Sequence, residues 1–342
     1  MNSPKNILIV RTDRIGDVIL SLPLAAILKK NFPDVRVSFL VRDYTVPLVK
    51  TCKYVDKVFI LHEKNGKPSI APNVVALKNK FDACIVAFPT YPIALLLFLA
   101  GFKIRIGSGY RWYSFLFNRK VYEHRKYGER HELEYNVRLL RELGIDENVN
   151  RDNADFGIEV NSSLSQKICD KLKSLGWDGS QKIVVLHPGS GGSAVDLPYL
   201  KMKLLAEKIS NETEAVIVIT GGEHEKELCN SFVVSNKVIN TAGMFNLEEL
   251  TALIDNAKIL IANSTGPIHI AAALGKDVIG FYPKFAAVSP KRWGPYSTKA
   301  KIFQPTVCDG ECSRDKCKKL NCMNSIDTQT VFDYIKEILP RN

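Results

Sequence analysis

Ile183-Val184-Val185-Leu186, followed by His187-Pro188-Gly189-Ser190-Gly191-Gly192-Ser193, is the stretch that decides the fold. Four apolar residues run into a loop of three glycines and two serines, and helical spacing resumes over residues 200–209. A strand, a glycine turn and a helix in that order form the repeating unit of a parallel sheet covered by helices. The same unit opens the chain, where Ile7-Leu8-Ile9-Val10 runs into Arg11-Thr12-Asp13-Arg14-Ile15-Gly16-Asp17 and a helical pattern over residues 17–31.

Working outward, strand-like runs recur at 35–41, 58–61 and 83–87 in the first half. In the second half they recur at 215–220, 238–241, 259–262 and 278–282, with helical spacing at 247–256 and 269–274. Near-continuous apolar strands alternating with helices predict an α/β protein of two Rossmann-like, doubly wound domains. A polar stretch at 151–157 separates the halves, followed by a short strand at 158–160 and a connecting helix at 162–175. The expected division is a first domain at 1–165 and a second at 166–325. A C-terminal helix within 326–342 is expected to pack back on the first domain. Ligands of such sheets bind at the carboxyl ends of the strands, so the loops after strands carry the chemistry.

The 342 residues suit two domains, and 46% apolar with 24% charged residues is a globular composition. The longest apolar stretch, residues 93–102, is ten residues against the ~20 of a membrane-spanning helix. The start lacks the layout of a signal peptide, so a cytoplasmic protein with reduced thiols is expected. The net charge of +11 is uneven, with 25 basic and 17 acidic residues at 1–160 against 22 and 19 at 161–342. Residues 101–130 hold eight basic side chains and two acidic ones, interleaved with Phe102, Tyr110, Trp112, Tyr113, Phe115, Phe117, Tyr122 and Tyr127. The pattern suits a polyanionic partner such as nucleic acid, an anionic lipid surface or a phosphorylated substrate, or else a solvated, partly packed loop. With no RNP or KH motif, nucleic acid is not expected.

Four loops are candidates for a site. In the first, Asp17 either caps the following helix or takes a proton from a substrate hydroxyl, and Arg11 and Arg14 either are surface charge or hold an anionic acceptor. The loop lacks the G-x-G-x-x-G dinucleotide pattern. In the second, Gly189, Ser190, Gly191, Gly192 and Ser193 bring backbone N–H groups close to a phosphate, or form an ordinary turn; the Gly-Lys-Ser/Thr ending of a Walker A loop is absent. In the third, Ser264-Thr265-Gly266-Pro267 opens a helix whose N-terminal amides suit an anion, with His269 one turn in as a core or site residue. The fourth element is a pair of weaker turns, Gly221-Gly222 and Gly243-Met244-Phe245-Asn246-Leu247, the latter offering apolar surface to a base. Cys308, Cys312, Cys317 and Cys322 form a C-x3-C-x4-C-x4-C run that either ligates a metal or packs; the spacing is atypical for zinc. Cys52, Cys84, Cys169 and Cys229 read as scattered packing residues.

These pieces together resemble the bacterial ADP-heptose–lipopolysaccharide heptosyltransferases, and the resemblance covers nearly the whole chain. It is carried by residues 11–17, His187-Pro188-Gly189-Ser190, Ser264-Thr265-Gly266-Pro267-Ile268-His269 with Ala271-Ala272-Ala273-Leu274-Gly275, and Arg292-Trp293-Gly294-Pro295. His131-Glu132-Leu133-Glu134-Tyr135-Asn136 also looks like a helix of that family. The resemblance implies two facing domains of GT-B type, the first for an acceptor and the second for a sugar nucleotide. It implies an inverting glycosyltransferase that moves heptose from ADP-heptose to the inner core of a lipopolysaccharide-type acceptor. Asp17 then matches the general base. Gly189, Ser190, Gly191, Gly192, Ser193, Gly221, Phe245, Leu247, Ser264, Thr265, Gly266 and His269 fall on the donor side, and Arg11, Arg14, Arg105 and Arg111 on the acceptor side. No cofactor and no divalent metal are implied. The implied partners are a nucleotide-sugar donor and an anionic glycolipid, met peripherally at the inner face of the cytoplasmic membrane. Two positions depart from the family: Val195-Asp196-Leu197-Pro198 stands where a phosphate-pairing cation is often found, and Ser264 where Asp often precedes the Thr-Gly turn. These departures leave open a different sugar on the nucleotide or a weakened activity.

Overall fold

The computed structural model describes residues 4–308 and 313–340, which divide into two compact units, residues 1–159 and 160–342. The division falls just ahead of the connecting helix Ser162–Ser174, and not within it near residue 165.

The main sheet of the first unit holds six strands: β1 (Asn6–Val10), β2 (Arg36–Val41), β3 (Lys57–Ile60), β4 (Ala83–Val86), β5 (Ile104–Ser108) and β6 (Arg119–Val121). The second holds β7 (Ile183–His187), β8 (Val216–Ile219), β9 (Val238–Asn240), β10 (Ile259–Asn263), β11 (Asp277–Phe281) and β12 (Ala300–Phe303). Every pairing within these two sheets is parallel. The orders are β3-β2-β1-β4-β5-β6 and β9-β8-β7-β10-β11-β12. Each unit thus repeats the 3-2-1-4-5-6 order of the Rossmann fold, whose order reverses beside its first strand. The central strands are buried from end to end, with Ile7–Val10, Ile183–Leu186 and Ile259–Ala262 all inside. That is why they read as unbroken apolar runs rather than alternating ones.

Local chemistry sets the helices. The helix expected over 17–31 is broken into α1 (Ile15–Ile19) and α2 (Pro23–Asn31), because Pro23 lacks the N–H to continue a helix and sits at the start of the second. α3 (Tyr91–Leu99) follows β4, and α4 (Glu132–Val137) begins at His131, whose Nδ1 accepts from the Leu133 N–H at 3.2 Å. In the second unit, α5 (Tyr199–Glu212) follows β7, and α6 (Gly266–Ala273) follows β10 with Pro267 in its first turn.

The C-terminal helix α7 (Thr328–Ile338) corrects an expectation. It packs on α5 of its own unit, placing Val331, Phe332, Ile335 and Ile338 in one core with Val184, Ile217 and Ile261. Lys182 Nζ donates to the Leu339 carbonyl at 2.7 Å and Lys201 Nζ to the Ile326 carbonyl at 2.7 Å, which tie down both ends. Its apolar stripe closes the second sheet's helical layer.

The basic segment 101–130 is more ordered than a solvated loop, since it contains β5 and β6. Phe117 packs over Gly107, where a Cβ would come within 2.8 Å of the ring. No helix among the described residues is long and apolar enough to cross a membrane.

Candidate active site

The first loop is organised by one buried cation. Arg11 follows β1 and is 1% exposed, a burial a guanidinium tolerates only when paired. Its Nε meets Asp13 Oδ1 at 2.7 Å, its Nη2 meets Asp17 Oδ1, and its Nη1 meets both Glu132 Oε1 and Asn136 Oδ1 at 3.3 Å. Burial works against the guanidinium's charge, yet Asp13, Asp17 and Glu132 raise its pKa further above the ordinary arginine value. The same arrangement frustrates Asp13. Burial, only partly offset by Arg11 and reinforced by Asp17, pushes its pKa up to about 6.

Asp17 lies inside the first turn of α1 and is no cap, because Arg14 holds the cap position without a side-chain hydrogen bond. The carboxylate is instead clamped through Oδ1 by Arg11. The clamp extends to α4. Asn136 Nδ2 donates to the Leu20 carbonyl at 3.1 Å and to Ser21 Oγ at 3.3 Å, and Ser21 Oγ donates to the Asp17 carbonyl at 3.0 Å. Glu132 also accepts from Arg125 Nη1, which reaches the Ala87 carbonyl at the end of β4. Loop reading does not reach Glu132, Asn136 and Arg125: Glu132 and Asn136 lie on α4 and Arg125 just ahead of it, all more than 100 residues from Arg11 in sequence.

Arg11 was expected to meet an acceptor; with four protein acceptors around it, the guanidinium holds Asp17 instead. Arg14 is exposed beside it. Arg105 is half-buried, donating from Nε to the Leu116 carbonyl at 2.7 Å and from Nη1 to the Phe102 carbonyl, while Arg111 has an exposed side chain. Beyond the ends of β5 and β6 stands a ladder of four exposed rings. Tyr110 stacks on His124 at 4.0 Å and meets Tyr122 edge-on at 5.5 Å, and His124 meets Tyr127 at 5.6 Å.

The second unit brings the remaining candidates to the carboxyl edge of β9-β8-β7-β10. After β7, Gly191 and Gly192 take φ values of +54° and +74°, a backbone that side chains rarely adopt. At Gly189 a Cβ would lie 1.8 Å from Glu225 Oε1, so a side chain there has to push that carboxylate aside. Glu225 meanwhile accepts from the Gly222 N–H at 2.8 Å, joining the Gly221-Gly222 turn to the glycine loop. The Gly243 N–H donates to the Gly221 carbonyl at 2.9 Å, bringing in the turn that carries Phe245 and Leu247, both half-buried. Lys171 Nζ sits 4.6 Å from the Phe245 ring centroid.

Asn263 staples the second loop to the third. Its Nδ2 donates to the Pro188 carbonyl at 2.7 Å, and its Oδ1 accepts from the Leu197 N–H at 2.9 Å. Ser264 is buried, and half-buried Thr265 caps α6 with its side chain uncommitted to the cap, so the first amides of that helix open beside the glycine loop. Ser190 is buried, and its hydroxyl faces the Asp196 carboxyl, whose charged form it favours. His269 is buried. His187 is half-buried, with Nδ1 2.9 Å from Thr220 Oγ1, and desolvation of the ring lowers its pKa to about 4 despite nearby Glu225. It is therefore neutral at neutral pH.

One cation reaches this loop from far along the chain. Arg314 Nη2 donates to the Gly192 carbonyl and to the Ala194 carbonyl, the latter at 3.1 Å. It comes from the cysteine segment, where Cys308, Cys317 and Cys322 are buried around Phe285 with Val195 packed against them. Cys312 lies outside the described residues. Among the described residues, no group of three or more His, Cys, Asp or Glu side chains is arranged to hold a metal ion. Of the scattered cysteines, Cys52, Cys84 and Cys229 are buried as expected and Cys169 is only half-buried.

Residues 74–323 match the family model described as glycosyltransferase family 9 (heptosyltransferase). A putative glycosyltransferase of Haemophilus influenzae is 30% identical over 337 residues, covering 96% of each chain. Lipopolysaccharide heptosyltransferase 3 of Escherichia coli is 24% identical over 84% of this chain and 85% of its own. The fold is shared with the structure of the E. coli ADP-heptose lipopolysaccharide heptosyltransferase II, at a TM-score of 0.80 and 19% identity over 98% of both chains.

Proposed function

The chain belongs to glycosyltransferase family 9, and on that premise we propose that it moves a heptose from ADP-heptose to the inner core of a lipopolysaccharide-type acceptor, with inversion at the anomeric carbon. The observation that carries the reading is the clamped carboxylate of Asp17 at the carboxyl end of β1. An acceptor hydroxyl attacks the anomeric carbon while the bond from that carbon to the diphosphate oxygen breaks. The bonding pair leaves with ADP, and the hydroxyl proton passes to Asp17. Arg11 engages Oδ1, so Oδ2 is the atom that receives the proton. A fixed base orientation is what general-base catalysis needs from its surroundings.

On the donor side, the leaving diphosphate faces the N–H groups of the glycine loop and the first amides of α6, which meet negative charge as it develops. Phe245 and Leu247 offer the apolar surface for the adenine. On the acceptor side, Arg14 and Arg111 answer the phosphates of an inner core. The ring ladder Tyr110–His124–Tyr122–Tyr127 suits the apolar faces of its sugars, since a pyranose presents C–H bonds to the electron-rich face of an aromatic ring. A separate exposed set, Phe98, Leu99, Trp112 and Phe115, lies among basic residues and suits shallow contact with an anionic membrane. On this reading the enzyme works in the cytoplasm, peripheral to the inner face of the membrane.

Calorimetry with ADP-heptose tests the donor. Saturable binding, abolished by excess ADP, is the expected result. Absence of binding at millimolar ligand removes heptose as the sugar and leaves another nucleotide sugar on the same fold.

A further inference from the structure

The glycine loop that faces the diphosphate carries no positive charge of its own. Between His187 and Pro198 there is no Lys or Arg, and there is one acid, Asp196. Glu225 adds a second carboxylate against Gly189. A diphosphate placed here meets two acids and only the partial charges of backbone amides, which are weak compensation for a leaving group of its charge.

We propose that Arg314, delivered by the cysteine segment, is the cation that pairs with the donor's diphosphate; this rests on the nucleotide-sugar reading above. Three observations converge on it. The first is contact: Arg314 is 122 residues from Gly192 in sequence, yet its Nη2 donates to the carbonyls of Gly192 and Ala194. A guanidinium has five N–H donors, and among the described residues the hydrogen bonds of Arg314 run through Nη2, so Nε and Nη1 are the donors offered to an anion at the loop. The second is docking. Val195, in the middle of the loop, is apolar and packs against the cluster of Phe285, Cys308, Cys317 and Cys322. Lys284 Nζ adds a hydrogen bond to the Cys308 carbonyl at 2.8 Å. The loop's own side chain therefore seats the segment that brings the charge.

The third observation is direction. Arg314 begins the short helix Arg314–Lys319, of which Cys317 is the buried face. Lys318 stands four residues on, on the same side of that helix as Arg314. Both cations act on the Asp196 carboxyl, opposing the burial that raises its pKa. Asp196 thus gives the segment an electrostatic reason to sit where it does when the loop is empty.

The experiment is calorimetry of ADP, AMP and adenosine on the full chain and on Arg314→Ala and Arg314→Gln. Glutamine keeps an amide donor for the loop carbonyls but carries no charge, so it separates charge from support. The expected result is at least a tenfold rise in Kd for ADP in both variants, a smaller rise for AMP, and no change for adenosine. An unchanged Kd for ADP overturns the inference. Equal losses for ADP and adenosine overturn it too, because they make Arg314 a brace for the loop and nothing more. A wild-type chain that fails to bind ADP overturns the nucleotide-sugar reading itself, and the inference with it.

Discussion

The two loops that follow β1 and β7 occupy the same place in the same strand order, and they solve the problem of charge in opposite ways. After β1, the cation Arg11 and the carboxylates Asp13 and Asp17 lie within seven residues, and the strand's end buries them together. After β7, the loop is built of glycine and serine, and its cation arrives from the far end of the chain. A base has to hold one orientation, which a buried, fully paired network enforces. A site for a leaving group has to let backbone approach an anion, which requires residues without side chains, so charge must be supplied from elsewhere. The same scaffold position therefore carries its own ion pairs in one unit and is open, with its cation brought from elsewhere, in the other.

Breaking the first loop has the largest consequence. Arg11→Met leaves Asp13, Asp17 and Glu132 without their shared cation and is expected to cost the first unit ~3–5 kcal/mol, read by denaturant unfolding. Breaking the second costs affinity more than stability: Arg314→Ala raises the Kd for ADP about tenfold, equivalent to ~1.4 kcal/mol, with the unfolding midpoint little changed. Gly189→Ala is smaller again. The new methyl must displace the Glu225 carboxylate from the Gly222 N–H, a loss of ~1 kcal/mol visible in thermal unfolding and as weaker ADP binding.

The smallest effect is a slope. Asp13 holds a pKa of about 6 when folded, above the ordinary 3.8, so between about pH 4 and 6 the native chain retains a proton that the unfolded chain has released. Stability contributed by this group is present below pH 4 and falls as pH rises through 6. Asp13→Asn is expected to flatten that part of the stability profile; an identical profile in the variant would separate Asp13 from the network.

Much of this contrast was legible in the sequence because it is written in local patterns. The apolar runs of β1, β7 and β10 and the glycines after β7 fall within single short windows. What was missed is what such windows do not contain. β6 and β12 are edge strands whose Arg119, Lys120 and Lys301 interrupt the apolar pattern, which an edge allows and a central strand does not. Pro23 divided a helix that its periodicity presented as continuous. Asp17 reads locally as a cap first and a base second, and the base reading comes from the family resemblance; the structure places it inside the first turn of α1 and against Arg11. Glu132 and Arg314 sit 121 and 122 residues from their partners, and no spacing rule connects them. In the cysteine run the eye goes to the thiols, while the side chain that reaches the glycine loop is the arginine among them, Arg314.

Asp17→Asn, assayed for ADP release from ADP-heptose in the presence of a lipopolysaccharide acceptor and titrated in parallel with ADP, tests the central claim most directly. The substitution preserves shape and removes the proton acceptor. Turnover is expected to fall by ~10²–10⁴-fold, the range for a lost general base, while the Kd for ADP stays within twofold of the wild type. Turnover at the wild-type rate, or a loss of ADP affinity that accounts for the whole effect, would contradict the assignment of Asp17 as the base.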